Sequence, residues 1–109
     1  MAATLGEFEQ IVLLAILRLG EEAYGVTIRR ELQERTGREP SPGALYTTLD
    51  RLEEKGLLRS HLGDPTPQRG GRAKRFFKVT ARGVQSIARV QRSYQRLLEG
   101  LALPGVSHA

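Results

Sequence analysis

A mainly α-helical chain with one small β-hairpin is what this sequence predicts, and three observations lead there. Apolar residues recur at helical spacing in four separate segments. Two short segments of alternating character stand between the third and the fourth. Gly, Pro and Ser mark the joints. The chain has 109 residues, which is one domain's worth, with 39% hydrophobic and 27% charged residues. A core of that size is small, and a partner subunit would add to it.

The first helix is expected from about Leu5 to Leu19. Phe8, Ile11, Val12, Ala15, Ile16 and Leu19 share one face, and Leu13, Leu14 and Leu17 fall outside that stripe. A helix this apolar has surface for a second contact besides its own core. Gly20 is its terminator. The second helix is expected from about Ala23 to Thr36, with Tyr24, Ile28 and Leu32 as its stripe, Val26 beside it and Gly37 as its end. Gly25, near its start, is a place where another backbone can come close.

The third helix opens on Ser41 as N-cap and Pro42 at its first position, where a missing N–H costs nothing. Leu45, Leu49 and Leu52 form its buried face, and Gly56 after Lys55 is the stop. "LLRSHL" then alternates as a strand, with Leu58 and Leu62 on one side and Arg59 and His61 on the other. Gly63 to Ala73 holds two prolines and three glycines and is a loop. Lys74 to Val79 is a second strand with Phe77 and Val79 inward, so the two strands make a hairpin with a long basic tip. Thr80 caps the last helix, which is expected to reach about Leu101, with Pro104 and Gly105 ending it. Along it Ile87, Val90, Tyr94, Leu97 and Leu101 are spaced as a heptad seam.

Three helices, a hairpin and a long helix give the order of a winged helix-turn-helix carrying a C-terminal dimerisation helix. On this reading residues 1–80 are the winged domain, 81–103 the dimerisation helix and 104–109 a flexible tail. About two heptads are marginal as an isolated coiled coil, so the seam is expected to pack on the partner's first helix as well.

Charge distribution points to the partner. From Pro65 to Leu98 there is no Asp or Glu, while Arg69, Arg72, Lys74, Arg75, Lys78, Arg82, Arg89, Arg92 and Arg96 are basic. A polarised basic half suits a polyanion. The third helix presents an outward face of Gly43, Thr47, Asp50 and Glu54, with Arg51 beside it and Tyr46 on a flank. Small residues in its first turns let a helix axis come close to base edges in the major groove of double-stranded DNA, where such helices read from their N-terminal turns. Thr47 and Thr48 can bond bases, Tyr46 can reach a phosphate, and the free N–H groups behind Ser41 and Ala44 suit a phosphate. Arg69, Arg72, Lys74 and Arg75 would lie over the backbone or in the minor groove.

Each feature also has a plainer reading. Ser-Pro is ordinary capping, the threonines are ordinary surface residues, Tyr46 is equally a packing residue, and the loop is equally a solvated tip. Their conjunction favours DNA.

These residues also resemble a known family. Tyr24-Gly25, Ser41 to Tyr46, Leu49-Leu52-Gly56-Leu57, Gly71-Arg72, Phe76-Phe77 and Thr80 to Gly83 stand in the order found in PadR transcriptional regulators, over most of Leu5 to Ile87. The resemblance implies a homodimer that binds an inverted repeat, usually represses a promoter, and dimerises through the C-terminal helix, sometimes with the first helix. Two departures stand out. The tip "DPTPQRGG" is longer and richer in Pro than the family's tight tip. There is also no Trp, whereas some members hold flat aromatic drugs with an aromatic pair at the dimer interface. A small-molecule effector wedged at that interface, against Tyr94 and Leu97, is the natural release signal, although core packing explains those two residues as well.

Other functions find less support. With no Cys and only His61 and His108, neither a metal site nor a nucleophile–base pair is visible, so no cofactor, metal or enzymatic activity is expected. "RGGRAKR" feeds a strand and so is not a strand–loop–helix phosphate loop. The first apolar segment is too short and too charged to span a bilayer, and it lacks a signal peptide's basic start, so a cytoplasmic protein is expected. A winged-helix module that contacts protein or RNA without reading DNA is the alternative.

Overall fold

Helix starts in this protein are set by side chains that reach back to bare backbone N–H groups. A computed structural model describes residues 5–63 and 73–105. Helix α1, Glu7–Leu19, begins two residues later than its apolar pattern, because the Glu9 carboxylate accepts from the Gly6 N–H at 2.9 Å. A single 3₁₀ turn, Gly20–Glu22, follows. Helix α2, Gly25–Thr36, starts at Gly25 rather than Ala23, and the hairpin is the reason. Ala23 and Tyr24 are extended, the Phe77 N–H donates to the Ala23 carbonyl at 2.9 Å, and Tyr24 forms an isolated bridge with Phe76. The periodicity of the segment carries no sign of that pairing.

Helix α3, Pro42–Glu54, is capped by Ser41, whose Oγ accepts from the Ala44 N–H at 3.1 Å. Strands β1, Leu58–Leu62, and β2, Arg75–Val79, pair antiparallel in a register from Leu58↔Val79 to Leu62↔Arg75. Helix α4, Ala81–Leu98, is capped by Thr80, whose Oγ1 accepts from Gly83 N–H at 3.1 Å. It ends three residues short of Leu101, since Gly100 turns left-handed at φ 72° well before Pro104. The proposed wing tip, residues 64–72, and the tail, residues 106–109, lie outside the described residues.

One core joins these elements. Leu45, Leu49 and Leu52 of α3 are fully buried against Val12, Leu13 and Ile16 of α1, Ile28 and Leu32 of α2, and Phe77 of β2. Two expectations change. Leu13 belongs to the core, while Phe8, Ile11 and Leu19 are only partly buried, so the inner face of α1 is rotated from the expected stripe. Leu62 is 71% exposed, although it shares a strand face with the buried Leu58, because the hairpin runs out past the helices.

Glu9 ties α1 to the end of α3. Its carboxylate receives the Lys55 ammonium at 2.8 and 3.0 Å. Burial by itself pushes this carboxyl up, but the Lys55 bond, the Gly6 N–H and the charges of Lys55 and Arg51 together hold it below its ordinary value of 4.5. A carboxylate lowered in the folded state stabilises the fold above its unfolded value, and that contribution fades as pH falls through the folded value. Glu9→Gln is therefore expected to cost about 1–2 kcal/mol at neutral pH. Denaturant titrations should show the gap to wild type closing below the ordinary range of the carboxyl; a gap that persists there would contradict the ion pair as its source.

A candidate nucleic-acid interface on the third helix and the wing

Because the inner face of α3 is locked by its three leucines, its opposite face is fixed toward solvent. Ser41, Gly43, Ala44, Tyr46, Thr47, Asp50 and Arg51 are exposed there or at its edges. A Cβ at Gly43 would meet nothing within 4 Å, so this part of the first turn is open to a close approach. Thr48 is a correction: at 7% exposure it belongs to the inner layer and cannot offer its hydroxyl to a groove. At 100° per residue it lies about 40° beyond Leu52 and about 60° from Leu45, at the edge of the leucine stripe, which already placed it near the core. Arg51 is exposed but acts electrostatically on Glu9, toward the α1 side.

Tyr46 has a packing role. A Cβ on Gly25 would stand 2.5 Å from its Oη and 3.1 Å from its Cζ, so the ring lies over the first turn of α2. The close approach at Gly25 is therefore made by a side chain and not by the expected backbone, and it sets α3 against α2. Tyr46 keeps 38% of its surface exposed, which leaves an edge at the interface.

Of the four basic wing candidates, two can be placed. Lys74 is exposed, with its Nζ 4.4 Å over the Tyr24 ring and 3.4 Å from the Tyr24 hydroxyl. Arg75 turns back instead: it bonds Asp50 at 3.2 Å and Glu53 at 2.6 Å, with its guanidinium over the ring of Phe77. A backbone contact by Arg75 thus meets prior occupation by two carboxylates of α3. Arg69 and Arg72 lie outside the described residues.

The sequence reading missed a basic flank on α2. A cavity of about 500 Å³ beside the start of α3 is lined by Arg29, Arg30, Gln33 and Ser41 among others, and Arg29 donates to the Pro40 carbonyl at 3.0 Å. The two arginines are adjacent in sequence, yet nothing in the helical pattern places them next to Ser41.

Helix α4 divides into two halves. Ile87 is 9% exposed and Val90 packs against the core, so these two members of the seam serve their own domain. Beyond them the apolar residues are bare: Tyr94 is 58% exposed, Leu97 77% and Leu101, past the helix end, 54%. Leu14 and Leu17 on α1 are also exposed.

Among the described residues no group of His, Cys, Asp and Glu could hold a metal, and no helix is long and apolar enough to cross a membrane. Comparison with known proteins now decides the family. Residues 13–89 match the model of the transcriptional regulator PadR-like family. The chain belongs to that family. Its members are transcriptional regulators rather than a class of enzyme. The regulator is 38% identical over 89 residues to transcriptional regulator Rv3488 of Mycobacterium tuberculosis, covering 80% of this chain and 76% of that protein. It superposes on a PadR family transcriptional regulator from Eggerthella lenta with TM-score 0.64 and 26% identity, over 87% of this chain and 82% of that one. F93 from STIV, a winged-helix DNA-binding protein, shares the fold at TM-score 0.65 and 19% identity, over 88% of this chain and 96% of that one. The PadR-like regulator is thus a winged-helix protein, whose described residues form four α-helices and a two-stranded wing.

Proposed function

We propose that this PadR-like regulator binds double-stranded DNA sequence-specifically as a homodimer and represses its promoter. One observation carries the reading: the outward first turns of α3 are small, uncharged and open, with Gly43 facing empty space and Thr47 beside it, on a helix rigidly backed by three buried leucines. A helix so shaped can sit deep in a major groove. Arg29 and Arg30 flank the start of α3, and with the exposed Lys74 of the wing they would supply phosphate contacts that fix register without reading sequence.

The bare half of α4 supports the dimer. Within residues 81–103, the part beyond Val90 acts as the dimerisation surface, with Tyr94, Leu97 and Leu101 covered by the partner's α4 and by Leu14 and Leu17 of its α1. A two-fold dimer sets its reading helices about one DNA turn apart, ~34–36 Å, and so matches an inverted repeat. A small molecule wedged between the subunits at Tyr94 and Leu97 would change that spacing and release the DNA.

Binding to the DNA just upstream of the regulator's own gene, against a scrambled duplex over a salt series, tests this reading. Thr47→Ala should lose about 1 kcal/mol of discrimination at one base pair of each half-site while its affinity for scrambled DNA stays the same. Unchanged discrimination would remove Thr47 from the reading face, and a wild type indifferent to DNA would favour a protein-binding module.

A further inference from the structure

We infer that Arg75 is a positioning residue, which ties the outer end of the wing's strand ladder to the reading helix and does not itself hold a phosphate. The inference rests on the DNA-binding reading above. Arg75 pairs with Leu62 at the outer end of the hairpin ladder, the last described strand pair before the tip. Its guanidinium bonds Asp50 at 3.2 Å and Glu53 at 2.6 Å, two residues one helical turn apart on α3. It also lies 4.9 Å above the ring of Phe77, which is 2% exposed. Glu53 in turn accepts from the Ser60 hydroxyl of β1 at 2.8 and 3.0 Å. One planar cation therefore joins α3 to β2, and one carboxylate joins α3 to both strands.

Two consequences follow from this arrangement. A phosphate could recruit Arg75 only by taking it from two carboxylates, and would leave both of them facing a polyanion. The hairpin is also a lever. Five residues of strand extend ~17 Å, so a rotation of roughly 10° at the base displaces the far end by about 3 Å, the length of a hydrogen bond. Holding the outer end of the ladder against α3 is what lets Lys74, next to Arg75, meet the backbone while α3 occupies the groove. Arg suits this task better than Lys, because its fork spans two acceptors where an ammonium is a point charge.

The test uses the full chain, a mixed-sequence duplex and a salt series, with Arg75→Lys and Glu53→Ala. A phosphate contact would survive Arg75→Lys, and removing the negative charge of Glu53 would tighten binding. The positioning role predicts the opposite for both. Each variant should bind about tenfold more weakly, because the wing's own backbone contacts loosen once its tie to α3 is gone. Thermal melts establish that the variants are folded. Should either melt below the assay temperature, Ser60→Ala removes one bond to Glu53 and should weaken binding about threefold. Wild-type affinity in Arg75→Lys together with tighter binding by Glu53→Ala would overturn the inference alone. A wild type that fails to bind the duplex even at low salt would overturn the DNA reading, and this inference with it.

Discussion

Gly83→Ala is expected to destabilise the regulator by about 2–3 kcal/mol, against the usual preference of helices for Ala over Gly. Gly83 lies in the first turn of α4, where that helix crosses the turn between α3 and β1. A Cβ there would fall inside van der Waals contact with the Leu57 carbonyl oxygen, 2.6 Å from Val79 Cγ1 and 3.3 Å from the Leu57 carbonyl carbon. The obstacle is backbone and has little room to yield. The same Leu57 oxygen accepts from the Thr80 N–H at 3.0 Å, and the Thr80 hydroxyl donates to the Gly56 carbonyl at 2.7 Å. Making room for a methyl group would strain both bonds, each worth about 1 kcal/mol. For a domain of this size the loss corresponds to a melting temperature lower by about 10–20 °C. Gly43→Ala is the control. It makes the same change in a helix with open space around the Cβ, and it should leave stability unchanged or raise it by up to about 1 kcal/mol. A Gly83→Ala protein as stable as Gly43→Ala would contradict the close packing of α4.

Leu97→Glu is expected to turn the proposed dimer into a monomer and to remove most of the DNA affinity with it. In the single chain Leu97 is 77% exposed and every residue from 91 to 105 is exposed, so a charge at this position costs the isolated fold little, within about 0.5 kcal/mol. In a two-fold interface the same change occurs twice. Burying a leucine is worth about 1.5–3 kcal/mol, and a buried unpaired carboxylate costs more. Dimer affinity should therefore fall at least a hundredfold. DNA binding should fall with it, since two linked reading helices bind far more tightly than one. Light scattering on a size-exclusion column, combined with a thermal melt, separates the cases. A folded monomer fits the proposal. A dimer that persists would place the interface elsewhere, and an unfolded chain would mean that Leu97 supports its own domain.

The fold was legible in the sequence because its signals are local. Ser41, Pro42, Thr80 and the spacing of Leu45, Leu49 and Leu52 act within a turn or two of where they stand, and the structure keeps all of them. Departures arose where a distant segment decided the outcome. Ala23 and Tyr24 follow a helical pattern, but hydrogen bonding to β2 holds them extended. Leu13 faces inward because α1 is packed on two sides, which no single stripe reveals. Gly100, read past in favour of Pro104, ends α4 early.

The candidate interface was legible only in part. The small outward face of α3 follows from helical phase alone, and Thr48 was misplaced by attending to its chemistry before its phase. Arg75 was grouped with the basic wing on charge, whereas its partners, Asp50 and Glu53, lie more than 20 residues earlier in the chain and only the folded hairpin brings them together. Arg29 and Arg30 were passed over for the same reason: their nearness to Ser41 is a property of the α2–α3 packing.

Selection of binding sites from a random duplex library at physiological salt, using the wild-type regulator, tests the central claim most directly. The account predicts enrichment of an inverted repeat whose half-sites lie about one helical turn apart, with the preference at one position of each half-site lost in Thr47→Ala. A library that emerges unenriched, or enriched equally by wild type and Thr47→Ala, would contradict the reading of α3 as the element that recognises sequence.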